Sequence, residues 1–360
     1  MSTDGKNNLL IPIYIASIAI LFIIGLLNQY SALGGWTPAF RNHFLKLIIV
    51  FFAFFSTFFI KEHVLERLIP VGYFLSIILL FLVEFKGLTV KGATRWIQLG
   101  SLTMQPSELA KIFTPLMSAH LIYIFRQESN KKMLIAVLIS NIIPFILVLK
   151  QPDLGSAILV ISAGLLPLLL SDIKLKYFFI TAFLGLMTLP FAWNHLHQYQ
   201  RDRVLTLINP ERDPTGQGYH VLQSKIAIGS GQWFGKGFLF NTQADYDFLP
   251  EHDTDFAFAL FAEEHGFIGS IFVISLFFYL SYLMMKICLA TKSYYSQLII
   301  FSLAAPLFIY VFINIGMVTG ILPVVGVPLP FFSRGGTNLL SVFFSFGLII
   351  SLYSSFKNRF

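Results

Sequence analysis

The sequence predicts an all-α, polytopic membrane protein with about ten transmembrane helices and one long extracytoplasmic loop between helices 7 and 8. Three observations predict it. Apolar residues make up 56% of the 360 positions, 40 residues are Phe and only 12% are charged, which is more apolar surface than a soluble domain can hide from water. Apolar runs long enough to cross about 30 Å of hydrocarbon recur along the whole chain. The charges that do occur gather in the connections between those runs.

The first run, 9–27, has no convincing cleavage site and is read as a retained anchor. Further spans are expected near 44–60, 68–85, 107–125, 133–149, 155–171, 176–193, 256–285, 296–319 and 336–356. An even number of spans puts both termini on one side. The very short segments on that side carry Lys61 and Arg67, then Arg126, Lys131 and Lys132, then Lys174 and Lys176, then Lys286 and Lys292, with Lys357 and Arg359 at the end. Cations concentrated in short loops identify the cytoplasmic face. The whole chain, 1–360, therefore reads as a single integral membrane domain with an outer loop at about 194–254. The single cysteine, Cys288, excludes a disulfide framework and reads as a small core residue.

A loop of that length is expected to be functional. Within it YQRDRVLTLINP and GYHVLQSKIAIGSG mix apolar and cationic positions at near-helical spacing. They read equally well as interfacial helices on the outer leaflet and as caps on the bundle.

Three outer-face spans open with a carboxylate: Glu108 in QPSELAK, Asp153 in KQPDLG and Asp255 in the stretch FLPEHDTDFAFALFAEEHG. Taken singly, Glu108 and Asp153 are best read as first-turn acids that satisfy free N–H groups and complement the helix dipole. Lys111, one turn below Glu108, is its neutralising partner. The same face also offers Lys86, Lys91, Arg95, Lys150, Arg201, Arg203, Lys225, Lys236 and Arg334. Ionisable groups at a membrane edge point to function, and cations beside helix N-termini suit an anionic, phosphorylated ligand. Below Asp255, Ala259, Ala262 and Gly266 form a small-residue stripe, either a packing seam or a berth for a lipid chain, and Glu264 faces the other way.

Other chemistries find little support. GSGQWFGKG is one residue short of a phosphate loop and lacks the Ser or Thr after its lysine. His195 with His197 is a weak metal signal, there is no HExxH, and no nucleophile elbow precedes a helix. The basic charge balance fits lipid headgroups, and no nucleic-acid partner is inferred.

Taken together, KGATRWIQLGSLTMQPSELAK, KQPDLGSA, YQRDRVLTLINPERDPTGQGYHVLQSKIAIGSGQWFGKG, FLPEHDTDFAFALFAEEHG and GILPVVGVPLPFFSRGG resemble the SEDS family (shape, elongation, division and sporulation) from about Lys91 to the C-terminus. The GILPVVGVPLP segment leans to its elongation branch. The resemblance implies a glycosyltransferase of the bacterial inner membrane that polymerises lipid II in cell elongation and shape maintenance. It also implies a class B penicillin-binding protein as the crosslinking partner. The family's essential aspartate maps onto Asp255. Its other important positions map onto Glu108, Lys111 and Asp153, the cationic loop onto Arg201, Arg203, Lys225 and Lys236, and the Ser-Tyr-Gly-Gly segment onto Ser333 and its neighbours. The chain departs from the family at His252 and Asp253, where Arg-His is usual, and at Arg334, where Tyr is usual; an added acid and an added cation suggest compensation.

The reaction expected from the resemblance is inverting transfer with release of undecaprenyl pyrophosphate, with Asp255 acting as base and Arg203, Lys111 and Lys236 as the cations that stabilise the leaving group. No cofactor is certain, and Asp255, Asp253 and Glu251 are the hard oxygen donors that would suit Mg²⁺ or Mn²⁺. The alternative is a lipid II flippase, which explains the spans and intramembrane charges equally well; a scaffold that only recruits the partner needs no charge cluster.

Overall fold

The computed structural model describes residues 9–90, 93–99, 102–173, 176–177, 180, 183, 187, 198–209, 213, 216–242, 248–249 and 251–357. Most of the span expected at 176–193 lies outside these residues, as do Lys91, Lys174, His195, His197 and Arg359. The helices are α1 (Leu10–Ala32), α2 (Pro38–Ser56), α3 (Glu62–Lys86), α4 (Pro106–Ile124), α5 (Asn130–Lys150), α6 (Leu154–Leu165), α7 (Gln198–Ile208), α8 (Gln217–Ser230), α9 (Ala257–Ala290), α10 (Tyr294–Val318) and α11 (Gly336–Lys357). Among the described residues seven helices are long and apolar enough to cross a membrane, namely α1, α2, α3, α5, α9, α10 and α11. The chain is thus a mostly helical, membrane-embedded protein. Helix α4, which carries Glu108 and Lys111, falls outside the seven, as does α6 with its 3-10 extension to Leu170.

One departure from the all-α expectation lies between α3 and α4. Strands β1 (Leu88–Val90), β2 (Ala93–Leu99) and β3 (Leu102–Met104) form an antiparallel meander, pairing Thr89 with Thr94 and Gln98 with Thr103. Both loop segments predicted to be near-helical are helices, α7 and α8.

The chain divides into two compact units, one of 1–53, 198–283 and 307–342, the other of 54–197, 284–306 and 343–360. In the second unit α4 packs against α3, α5 and α6, with Leu80, Ala110, Val148, Ala157 and Val160 in the core. Pro144 inside α5 lacks the N–H that would bond the Ser140 carbonyl. The Tyr73 hydroxyl donates to that carbonyl instead, at 2.9 Å. Such substitutes are what allow proline in a membrane helix. Cys288 is buried and donates to the Gln297 carbonyl, in line with a core role.

In the first unit α9 is not continuous, because Gly266 has φ 66° and ψ −164°. The backbone groups freed there are taken up by the loop after α8: Phe267 N donates to Gln232 O at 2.8 Å, Ile268 N to Trp233 O at 3.2 Å, and Lys236 N and Gly237 N to Glu263 O and Glu264 O at 3.0 Å. The approach is close enough that a Cβ at Gly266 would stand 2.4 Å from Gly235 N, and one at Gly231 2.1 Å from Ala262 O. The stripe Ala262–Gly266 is therefore a packing seam, filled by the GSGQWFGKG segment.

This geometry predicts that Gly266→Ala destabilises the protein by about 1–3 kcal/mol, through strained backbone and overpacking together. Gly229→Ala, with nothing within 4 Å of its added methyl, should be neutral or stabilising by up to about 1 kcal/mol as a helix-favouring change. Thermal denaturation in detergent measures both; equal effects would refute the packing assignment.

Candidate functional site

Asp255 sits half-buried in a turn immediately before α9. The turn closes on Glu251, whose carbonyl accepts from Thr254 N at 3.2 Å and Phe256 N at 3.1 Å, while its carboxylate takes the Thr254 hydroxyl at 2.7 Å. Non-helical backbone at membrane depth survives only where its polar groups are paired. Three buried carboxamides do much of that pairing. Asn314 on α10 donates to Asp255 O at 3.1 Å and Val327 O at 2.7 Å. Gln29 on α1 donates to Asp253 O at 2.9 Å and also to Phe332 O, and Asn28 donates to Ala257 O at 3.2 Å. The imidazole of His252 faces Leu249 O at 2.7 Å and Ala32 O at 3.0 Å, tying the turn to the end of α1.

The departures from the family pattern meet each other. Arg334 Nη1 lies 2.9 Å from Asp253 Oδ2, and Arg334 N donates to Asp253 O at 2.7 Å. The extra acid and the extra cation form one ion pair that joins the Asp255 turn to the segment before α11.

Segment 320–335 carries the other groups. A Cβ at Gly326 would stand 3.3 Å from Asp255 Oδ2, so the carboxylate rests against a residue without a side chain. A Cβ at Gly320 would stand 2.6 Å from Lys225 Nζ, which places the ammonium of α8 over that glycine. Arg203 of α7 lines a crevice with Thr206, Val221, Gly320, Leu322 and Val324. Gly326 is six positions beyond Gly320, so these positions are at most about 21 Å apart along the chain. Arg203, Lys225 and Asp255 thus border one short stretch, with Arg201 two residues from Arg203 on α7.

Two further expected ligand groups also have protein partners. Lys236 Nζ lies 2.6 Å from Glu263 Oε1 and 2.8 Å from Thr242 Oγ1, fastening the loop in the α9 break. Ser333 Oγ accepts from Leu329 N at 2.8 Å and shapes its own turn. Glu264 is buried and accepts from Ser31 Oγ, Asn241 Nδ2 and Leu239 N. Glu251 and Asp253, the other donors considered for a metal, have their carboxylates turned to Thr254 and Arg334. Among the described residues no three His, Cys, Asp or Glu side chains come together as a metal-binding group.

Glu108, Lys111 and Asp153 belong to the second unit. Glu108 and Lys111 form a buried ion pair at 2.7 Å. Asp153 caps α6 by accepting from Ser156 N at 3.1 Å, the role its position in the first turn predicts. Its other oxygen receives Gln105 Nε2 at 3.1 Å and stands 3.8 Å from Arg95 Nη1. Arg95 on β2 also donates to the Gln151 and Pro152 carbonyls, so the meander holds the turn before α6.

Gln29, Asn28 and Asn314 did not emerge from the motifs. Their signal is a carboxamide inside an otherwise apolar span, in GLLNQYSA and FINIGMV, which is costly unless it has buried partners.

Residues 8–358 match the family model FTSW_RODA_SPOVE, described as cell cycle protein. The peptidoglycan glycosyltransferase MrdB of Escherichia coli K12 is 43% identical over 299 residues, covering 83% of this chain and 81% of that protein. A solved structure described as "Structural coordination of polymerization and crosslinking by a peptidoglycan synthase complex" is 29% identical, with TM-score 0.82 over 95% of this chain and 97% of the other. The crystal structure of Thermus thermophilus rod shape determining protein RodA has the same fold, with TM-score 0.73 at 24% identity over 95% and 96% of the two chains.

Two stability measurements check this geometry. Gln29→Leu leaves two buried carbonyls without their donor and should cost about 2–4 kcal/mol. A double-mutant cycle on Asp253→Ala and Arg334→Ala should give about 0.5–1 kcal/mol of coupling, the range for a partly exposed pair; zero coupling would reduce the pair to coincidence.

Proposed function

Because the chain belongs to the FTSW_RODA_SPOVE family of cell cycle proteins, we propose that Asp255 is the general base of its reaction and that Arg203 and Lys225 hold the leaving phosphate groups. The enzyme is a peptidoglycan glycosyltransferase, the activity carried in the name of its 43% identical relative. Its substrate on this reading is lipid II, and its role is strand synthesis in cell elongation and shape maintenance. The 4-hydroxyl of the acceptor GlcNAc attacks C1 of the donor MurNAc, and Asp255 takes the hydroxyl proton. The C1–oxygen bond to undecaprenyl pyrophosphate breaks as the new glycosidic bond forms, which inverts the anomeric centre. The pyrophosphate leaves as a stabilised anion and needs cations rather than a second carboxylic acid.

The observation that carries this reading is the one short segment, 320–326, against which the Asp255 carboxylate and the Lys225 ammonium both rest, with Arg203 lining the same stretch. Lys236 pairs with Glu263 and Lys111 of the second unit with Glu108; Arg203 and Lys225, which border the 320–326 stretch where the Asp255 carboxylate rests, are assigned the pyrophosphate. A divalent cation receives no step, because the carboxylates of Glu251 and Asp253 serve Thr254 and Arg334. Glu108, Lys111, Asp153, Arg201, Lys236 and Ser333 are assigned to substrate binding on the family resemblance.

The crosslinking partner is a class B penicillin-binding protein; the 29% identical structure supports this, being of a complex that coordinates polymerization and crosslinking. The chain is assigned about ten spans in the bacterial inner membrane, with both termini in the cytoplasm and the 194–254 loop outside, in accord with the cation-rich inner segments.

Purified protein with its partner and labelled lipid II should make glycan strands. Asp255→Asn should abolish them without lowering thermal stability or partner binding, and Lys225→Ala should slow synthesis by about 10²-fold, the scale of one lost electrostatic contact. Full activity in Asp255→Asn would sink the assignment of the base. Lipid II translocation without strands would favour a flippase.

A further inference from the structure

The loop that fills the α9 break has a second, outward side. Trp233 is 65% exposed, Phe234 81% and Phe240 68%, although the backbone of 232–237 is hydrogen-bonded into a membrane helix. In water three bare aromatic rings within eight residues would be a liability. They continue the apolar face of α9 itself, where Phe267, Ile268, Ile271 and Phe272 are also exposed. Trp233 and Phe267 are in edge contact, 5.3 Å between ring centroids, and with Gln232 they line a cleft. Helix α9 is apolar enough to cross a membrane, so this face meets acyl chains, and the loop docked on it lies at the same depth.

A cation with its polar partners lies beside the aromatic set, and α8, which precedes the loop, adds exposed apolar residues. The Lys236 ammonium is held at Glu263 and Thr242 rather than among the rings, and α8 on the approach side exposes Leu222 and Ile226. Aromatic residues with a cation alongside are the composition of a membrane-interface anchor. Phe238 differs by leaning on the Tyr30 ring at 6.4 Å, which keeps it on the protein.

We propose that Trp233, Phe234 and Phe240 insert into the outer leaflet as a lipid anchor for the loop docked at Gly266, so that bilayer lipid is the partner of this surface. The occupant is acyl chain, not protein. The anchor ties the segment after α8, and with it Lys225, to the membrane surface from which a lipid-linked substrate arrives; this consequence rests on the proposed function, while the insertion does not.

The test uses the full chain with Trp36, Trp96 and Trp193 changed to Phe, leaving Trp233 as its one tryptophan, in vesicles of phosphatidylethanolamine and phosphatidylglycerol. Lipids brominated near the carbonyl end of their chains should remove most of the Trp233 emission, while aqueous acrylamide should quench it little. If the triple substitution does not fold, Phe234→Cys in a Cys288→Ser background carrying a nitroxide gives the same depth by its relative accessibility to oxygen and to a water-soluble nickel chelate. Full acrylamide quenching with no effect of brominated chains would overturn the proposal. Shielding that appears only when the crosslinking partner is added would overturn it in favour of a protein interface. Neither readout depends on activity, so loss of the catalytic assignment would leave this result standing.

Discussion

A membrane helix that stops being a helix must find partners for its backbone, and the break in α9 at Gly266 imposes that requirement on the whole first unit. Helical hydrogen bonds around the break are replaced by bonds to residues 232–237. The GSGQWFGKG segment is thereby fixed in place, and Lys236 is drawn to the buried Glu263. The same docking positions α8, whose Ser224 donates to the Val318 carbonyl at 2.7 Å and whose Lys225 covers Gly320. Glycines at 231, 235 and 266 are required by contact distance, since a side chain at any of them would overlap backbone.

The Asp255 turn is held on the same principle. In hydrocarbon an unpaired carbonyl costs several kcal/mol, and Asn28, Gln29 and Asn314 supply donors to the carbonyls around it. The base role proposed for Asp255 requires a geometry that is set before the substrate arrives. Here that geometry is set through the main chain: Asp255 is held by its own carbonyl and by its neighbours, with its carboxylate against Gly326. The Asp253–Arg334 pair adds an electrostatic tie between two segments that meet at the site.

Much of the architecture was legible from hydropathy. The span limits read from the sequence fall within a few residues of most helices, because apolar runs and helix length are local properties. The meander of 88–104 was not read, because three short strands carry little hydropathy signal beside spans of twenty residues. The site was legible by residue type and only partly by role. Asp153 stands where capping puts it. Lys236 and Ser333 looked like ligand groups because each lies in a family motif, and the structure gives each a protein partner.

What the sequence determined by itself was the class of protein, the positions of most helices, the family and the place of Asp255 at a helix start. All of these follow from composition, local periodicity or short motifs. What only the tertiary structure decided was which polar groups are already taken. Asn28 meets Ala257 across 229 residues of chain and Gln29 meets Phe332 across 303, separations at which no local pattern survives. The stripe of small residues below Asp255 could hold a lipid or a loop as far as the sequence goes; backbone groups left open at Gly266 decided for the loop, because in a membrane they have no water to turn to.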